Sequence, residues 1–385
     1  MRDFAEQLQA ELDALARADR LRACPEVAGP SRRHIRIADR PFVSFCSNDY
    51  LGLADHPALI AAAARAAKGE GVGAGAARLV SGDLPSHRAL EADLAHFLGR
   101  EAALLFPTGY QTNVGTVSAL AGPEDLVVSD ALNHASLIDG CRLSRATVAV
   151  YDHANPASAR AALARAGTFR RRLLVTESLF SMDGDCPPLA DLAAIASESD
   201  AVLIVDEAHA IGATGPGGRG MCAAAGISPD VLIGTLGKAF GAAGGFVAGP
   251  AALRSLLLNR ARTFVFTTAS PPPIAAAGRA ALAIISGADG DDRRQRLAAN
   301  RARLFARLPG ICADQPPGPI VPVIVGADAD ALKVAAELRA RGLFVPAIRP
   351  PTVPTGTARV RVTLSSEHTT DEIDLLAAAL QELLP

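Results

Sequence analysis

The chain holds only three lysines, Lys68, Lys238 and Lys333, and arginine fills the other basic positions. Arginine stays protonated and forms no imine at neutral pH. A lysine kept inside the glycine-rich apolar run Leu236-Gly-Lys-Ala-Phe-Gly-Ala-Ala-Gly-Gly245 is therefore a candidate for covalent carbonyl chemistry. The bland alternative is a surface lysine at a strand end. Asp206 stands at the carboxyl end of the apolar run Ala201–Val205 and opens Asp206-Glu-Ala-His209. A carboxylate there can keep a ring nitrogen protonated and so make a pyridine an electron sink. His209, three residues on, can face the same ring. A helix cap for Asp206 and a satisfied core position for His209 are the competing readings.

Thr108-Gly109-Tyr110 opens a helix after the run ending at Phe106. A helix start with a free hydroxyl suits a phosphate, although an ordinary cap has the same sequence. His134, in Asn133-His-Ala-Ser136, follows the run Leu126–Ser129 and can stack on a flat cofactor. Ser181, in Glu177-Ser-Leu-Phe-Ser-Met-Asp-Gly184, follows another run. A lysine, an aspartate, two histidines and a phosphate-type turn, all just after strands, are what pyridoxal 5'-phosphate (PLP) chemistry needs. Other signatures fail. Gly71-Val-Gly-Ala-Gly75 follows a helical stretch rather than a strand, which argues against a dinucleotide loop. Leu232 and Ala239 stand where a phosphate loop around Lys238 needs Gly and Ser/Thr.

Such residues need strands to carry them. The runs Ala102–Phe106, Leu126–Ser129, Thr147–Tyr151, Leu173–Glu177, Ala201–Asp206, Val231–Thr235 and Phe246–Gly249 alternate with Ala-rich helical segments. That alternation predicts an α/β fold with a mostly parallel sheet, helices on both faces and ligands at the carboxyl ends of the strands. Residues 3–22 predict an amphipathic helix. After a break at Ser270–Pro273, a helical, Arg-rich stretch runs to about Leu308. The segments Ile320–Val325, Ala329–Arg341, Phe344–Ile348, Arg359–Leu364 and Asp371–Leu384 predict a smaller α+β domain. The expected division is an N-terminal arm (1–45), a large PLP-binding domain (46–285) and a small C-terminal domain (286–385).

At 385 residues, 49% hydrophobic and 20% charged, the chain is globular and long enough for about two domains. A net charge of -2 with mixed signs argues against nucleic-acid or membrane partners. Cysteines 24, 46, 141, 186, 222 and 312 form no C-x-x-C pair, so no metal site is expected and a reducing compartment fits. Acidic residues interrupt the N-terminal segment, and no run approaches the ~18 apolar residues of a span. The expectation is a cytoplasmic protein.

The chain resembles the α-oxoamine synthases, PLP enzymes of fold type I (aspartate-aminotransferase-like), over nearly its whole length. The resemblance rests on Ser47-Asn-Asp-Tyr-Leu-Gly-Leu53, Asn133-His-Ala-Ser136, Phe180-Ser-Met-Asp-Gly-Asp185, Asp206-Glu-Ala-His209, Arg219-Gly220 and Thr235-Leu-Gly-Lys238. It implies Lys238 as the imine lysine, Asp206 as the pyridinium partner, His209 at the ring hydroxyl and His134 stacked on the ring. Gly109 and Tyr110 match the phosphate-side turn, and Ser181 and Thr235 match cofactor contacts. Arg22, His134 and Thr352 match substrate positions, with Asn48 and Arg361 near the amino-acid carboxylate. Ala347-Ile-Arg-Pro-Pro-Thr-Val-Pro354 and Gly356-Thr-Ala-Arg-Val-Arg361 look like the biotin-pathway branch. That branch implies decarboxylative condensation of L-alanine with pimeloyl-CoA or a pimeloyl-acyl carrier protein, in a homodimer. The Thr263, Thr267 and Thr268 segment is the candidate to reach a neighbour's phosphate. Rival readings are a glycine C-acetyltransferase and a catalytically silent PLP-binding subunit. One departure is Gly73-Ala-Gly-Ala-Ala-Arg78, where the family often has Gly-Ser-Gly-Gly-Ser. Arg349 is expected either to shape the acyl side or to tie its loop down.

Overall fold

The computed structural model describes residues 3–30, 32–311 and 317–384; Cys312 lies outside them. The chain opens with α1 (Phe4–Arg17), then a hairpin of β1 (His34–Ile37) and β2 (Arg40–Ser44), then α2 (Pro57–Glu70) and α3 (Pro85–Phe97). Strands and helices then alternate: β3 (Ala102–Phe106), α4 (Gly109–Leu120), β4 (Leu126–Asp130), α5 (Ala135–Ser144), β5 (Thr147–Tyr151), α6 (Pro156–Leu163), β6 (Arg172–Glu177), α7 (Leu189–Glu198), β7 (Ala201–Asp206), α8 (Gly220–Ala224), β8 (Val231–Thr235) and β9 (Gly245–Gly249). The rest is α9 (Ala251–Arg260), α10 (Arg262–Val265), α11 (Pro272–Ile285), α12 (Ala288–Arg307), β10 (Ile320–Gly326), α13 (Asp328–Ala340), β11 (Leu343–Phe344), β12 (Ala347–Ile348), β13 (Ala358–Thr363) and α14 (Thr370–Leu383).

Seven strands form one sheet in the order β3-β9-β8-β7-β6-β4-β5. Every pair is parallel except the two made by β9, which runs against β3 and β8. The sheet is covered on both faces, so its central strands are apolar throughout rather than alternating. Leu126, Val127 and Val128 of β4, Leu173, Leu174 and Val175 of β6, and Ile204 and Val205 of β7 are wholly buried. One face packs Val117, Leu137 and Phe264; the other packs Leu163, Leu192 and Ile195. A third apolar cluster runs from Phe45, Leu90 and Phe246 into Val321, Val362 and Leu376, so the C-terminal region shares a core with the large sheet's helices.

Two small sheets complete the fold, β10-β13-β12 and β1-β2-β11. The short β11 lies parallel to β2, with Leu343 opposite Val43, so a strand from beyond residue 340 extends the N-terminal hairpin. Helix α1 is shorter than the 3–22 expected from its leucine spacing. The chain leaves the helix after Arg17, and Asp19 takes a positive φ of 54°. None of its residues is buried. The Arg-rich stretch is two helices. Gly287 separates them, and Asp289 and Asp291 favour a new helix start at the positive end of the α12 dipole. No helix among the described residues is long and apolar enough to cross a membrane.

Candidate active site

The parallel register puts Glu177 of β6 opposite Asp206 of β7, and Asp206 opposite Ile233 of β8. These carboxyl ends hold the polar residues singled out by the sequence. Asp206 is 5% exposed. Its Oδ1 accepts the Ala208 N–H at 2.8 Å and its Oδ2 accepts the Asn113 amide at 2.7 Å. Lys238 follows β8 in a tight loop closed by Gly241 N–H to Lys238 O at 2.8 Å and Thr235 Oγ1–H to Gly244 O at 2.8 Å. Burial lowers the Lys238 pKa, against the pull of the Asp206 and Glu177 carboxylates and with help from Arg361. Its amine has no hydrogen-bond partner among the described residues. Lys68 and Lys333 are exposed on α2 and α13.

His209 is buried, and its Nδ1 lies 2.5 Å from the Tyr50 hydroxyl, which also donates to Asn48 Oδ1 at 3.1 Å. Burial first, then the charges of Lys238 and Arg361, push its pKa well down, which keeps the ring neutral. Burial pushes the Tyr50 hydroxyl up to about 12, which keeps it a donor. Arg361, on β13 and buried, donates from Nε to Ser181 O at 2.6 Å and from Nη1 to Thr363 Oγ1 at 3.0 Å. Asn48 Oδ1 lies 3.5 Å from its Nη2 and also faces Tyr50. β13 therefore delivers a guanidinium to the loop at the carboxyl end of β6. The loop carrying Ser181 is clamped from both sides. Arg359 reaches Met182 O and pairs with Asp183, while His153 bridges Asp130 at 2.8 Å and Asp185 at 2.7 Å.

His134 caps α5, its ring face is exposed, and its backbone N–H donates to Glu177 Oε1 at 2.5 Å. Glu177 is 2% exposed, and burial beside the Asp206 carboxylate raises its pKa well above the usual range. At the start of α4, the Thr108 hydroxyl accepts the Gln111 N–H at 3.1 Å and faces Gln111 Oε1 at 3.3 Å. That hydroxyl is a cap rather than the free group expected; the N–H groups of Gly109 and Tyr110 are the ones a helix start leaves over. Gly245 lets this start press on β9: a Cβ there would lie 2.9 Å from the Gly109 nitrogen. The Tyr110 hydroxyl is spent on Asp139. The Thr235 hydroxyl proton is spent on Gly244, which makes Thr235 an organiser of the lysine loop.

The acyl-side residues are placed differently. Arg22 is exposed on the arm and Thr352 is exposed in its loop. Arg349 donates to the Asp19 carbonyl, which ties its loop to the arm. Arg78 is buried against Asp83 at 2.6 Å and Glu91 at 2.9 Å, so it anchors the Gly73–Arg78 loop. Thr263 donates to its own chain at Gln111 O, 2.6 Å, and is not free to reach a neighbour. Four site residues had escaped notice as single positions: Tyr50, Asn113, Ser136 and Glu177. Only Tyr50 carried a signal, as one of three tyrosines in the chain.

An unpartnered lysine amine, a buried carboxylate, a neutral imidazole and open N–H groups at a helix start are the set PLP takes up, so the residues present fit that cofactor. The model of the class I and II aminotransferases matches residues 40–380. The chain belongs to that family. It is 51% identical over 381 residues to an 8-amino-7-oxononanoate synthase of Anaeromyxobacter dehalogenans, covering 98% of this chain and 95% of that protein. It is 49% identical over 364 residues to one from Methylococcus capsulatus, covering 93% of each. Among solved structures it resembles a Sphingomonas wittichii serine palmitoyltransferase, with a TM-score of 0.92 at 30% identity over 99% of this chain and 98% of that one. A serine palmitoyltransferase solved with PLP matches at 0.92 and 29%, covering 99% of each chain. The fold is fold type I, and the protein is a PLP-dependent acyltransferase of the α-oxoamine synthase group.

Proposed function

We propose that this enzyme condenses L-alanine with a pimeloyl thioester, carried by CoA or an acyl carrier protein, to give 8-amino-7-oxononanoate, CO₂ and free thiol for biotin synthesis. The observation that carries the reading is the full-length identity of about half to relatives of that name. Bound PLP supplies an electron sink for the charge left at the amino-acid α-carbon. Asp206 keeps the ring nitrogen protonated. His209 would face the ring hydroxyl oxygen, and the His134 ring would cover one face. Gly109 and Tyr110 offer backbone N–H groups to the phosphate, with Ser181 and Thr235 beside the cofactor. Lys238 would hold the cofactor through its amine and would serve as the base for the α-proton, a role its lowered pKa suits. Arg361 pairs with the alanine carboxylate, a fork geometry lysine lacks, and Asn48 steadies it. Arg22, His134 and Thr352 meet substrate at the mouth. The fold divides into arm 1–45, large domain 46–285 and small domain 286–385.

The working form is a cytoplasmic homodimer with the site at the subunit boundary. Val72, Val80 and Phe266 are 77%, 80% and 71% exposed. They lie on two segments joined by the bond from Ala269 N–H to Ala76 O at 3.0 Å, and so form an apolar rim that a second copy would cover. The test is thiol release from paired substrates. Pimeloyl-CoA with L-alanine should turn over far faster than acetyl-CoA with glycine; the reverse order would make the enzyme a glycine C-acetyltransferase.

A further inference from the structure

Behind the cofactor-facing residues runs a buried chain of hydrogen bonds. Asn113, in the middle of α4, donates one amide hydrogen to Asp206 Oδ2 at 2.7 Å and the other to Ser136 Oγ at 2.8 Å. Ser136 Oγ lies 2.6 Å from His134 Nδ1. The Ser136 backbone N–H points at the same Nδ1 at 3.3 Å, which a proton on that nitrogen would oppose, so the Ser136 hydroxyl, itself an acceptor from the amide, turns its proton to Nδ1. Nδ1 is then an acceptor, and Nε2 must carry the ring proton. Asn113 and Ser136 are 3% and 0% exposed, so water does not compete for these bonds.

The amide orientation is fixed by the same logic. Asn113 Oδ1 is buried without a partner. Turning the amide over would bring that oxygen against the Asp206 carboxylate and leave two donors facing nothing. Leaving one carbonyl unsatisfied is the smaller loss.

We propose that Asn113 and Ser136 are positioning residues that act as one unit. They aim the Asp206 carboxylate and hold His134 as the Nε2–H tautomer, so that His134 offers a donor, and never an acceptor, to the substrate above the cofactor. The inference rests on Asp206 and His134 facing PLP, as argued above. It adds that the polarity of the His134 contact is set through Ser136 by Asn113, a helix residue whose amide lies 2.8 Å from the Ser136 hydroxyl. A substrate group over His134 must then be a carbonyl or carboxylate oxygen.

The test uses PLP-loaded protein and needs no substrate. In histidine labelled with ¹⁵N, the His134 resonances, assigned by their loss in His134→Asn, should show protonated Nε2 and bare Nδ1. Ser136→Ala should shift them toward a mixture of tautomers. Asn113→Ala should weaken PLP binding about 10- to 100-fold, the worth of a hydrogen bond to a charged group. Asn113→Asp, which sets a second carboxylate against Asp206, should weaken it more, while the apo proteins melt near the wild-type temperature. Wild-type tautomer in Ser136→Ala, or wild-type PLP affinity in Asn113→Asp, would overturn the proposal. Should Asp206→Asn itself bind PLP like wild type, the reading beneath it would fall instead.

Discussion

At the carboxyl ends of β6 and β7, Glu177, Asp206, Asn113, Ser136 and His209 are all 5% exposed or less, and each is bonded to another polar group. Across the cleft, Arg22 and Thr352 are exposed, and Arg349 has the Asp19 carbonyl as its hydrogen-bond partner. The contrast follows from solvation. Charges taken out of water need partners built into the chain, so the cofactor side is complete before any ligand arrives. The exposed Arg22 keeps its water, whereas Arg349 is half-buried with its Nε unsatisfied. In the proposed reading, chemistry is held by the buried half and acyl choice falls to the exposed half.

Breaking the buried half should do most damage. Lys238→Ala removes both the imine and the base, and turnover should fall about 10³-fold or more. Borohydride should fix the cofactor to Lys238 in wild type; peptide mapping that found it on Lys68 or Lys333 would contradict the assignment. Asp206→Asn should keep the fold and lose roughly 10²- to 10³-fold in kcat, because the ring nitrogen is no longer held protonated. Near-normal turnover would make Asp206 a cap.

A smaller effect sharpens the same contrast through pH. Burial pushes the His153 pKa down, but the bonds and charges of Asp130 and Asp185 outweigh it and lift the ring to about 10. The folded value lies above the unfolded one of ~6.5, so this stabilisation is full below pH ~6.5 and fades as pH rises toward 10. His153→Gln should cost about 1.5–3 kcal/mol at pH 6 and little near pH 10.5 in denaturant melts. An equal loss at both pH values would mean the ring is neutral in the fold. Smallest of all, Arg22→Ala should raise KM for the thioester roughly 2- to 5-fold, as for an exposed ion pair, with PLP binding unchanged. A matching loss of PLP affinity would place Arg22 in the buried half.

The same division governs what could be read from the sequence. Ala102–Phe106, Ala201–Asp206 and Val231–Thr235 are legible to the residue because strands packed inside the sheet are unbroken apolar runs, and Thr147–Tyr151 is legible as a β-branched run although Val148 and Val150 are exposed at the sheet edge. Lys238, Asp206 and His209 stood out as polar breaks in such runs. Asn113 and Ser136 did not, since an asparagine within a helix reads as an ordinary polar position until the fold sets it beside Asp206. The pairing of β11 with β2 was also hidden, because three hundred residues separate them and two residues of strand carry no period. Leu8, Leu12 and Leu15 have the spacing of a packed helix, yet all three are exposed in the single chain. The sequence records that α1 has an apolar face, which the second copy proposed above would cover.

The central claim is that one cleft joins alanine to a long acyl chain with loss of the alanine carboxylate. The direct measurement gives the enzyme [1-¹³C]-L-alanine and pimeloyl-CoA and follows both the gas and the product mass. The account predicts ¹³CO₂ in step with free thiol, and unlabelled 8-amino-7-oxononanoate. Label retained in the product, or no product from this pair while acetyl-CoA and glycine react, would contradict it.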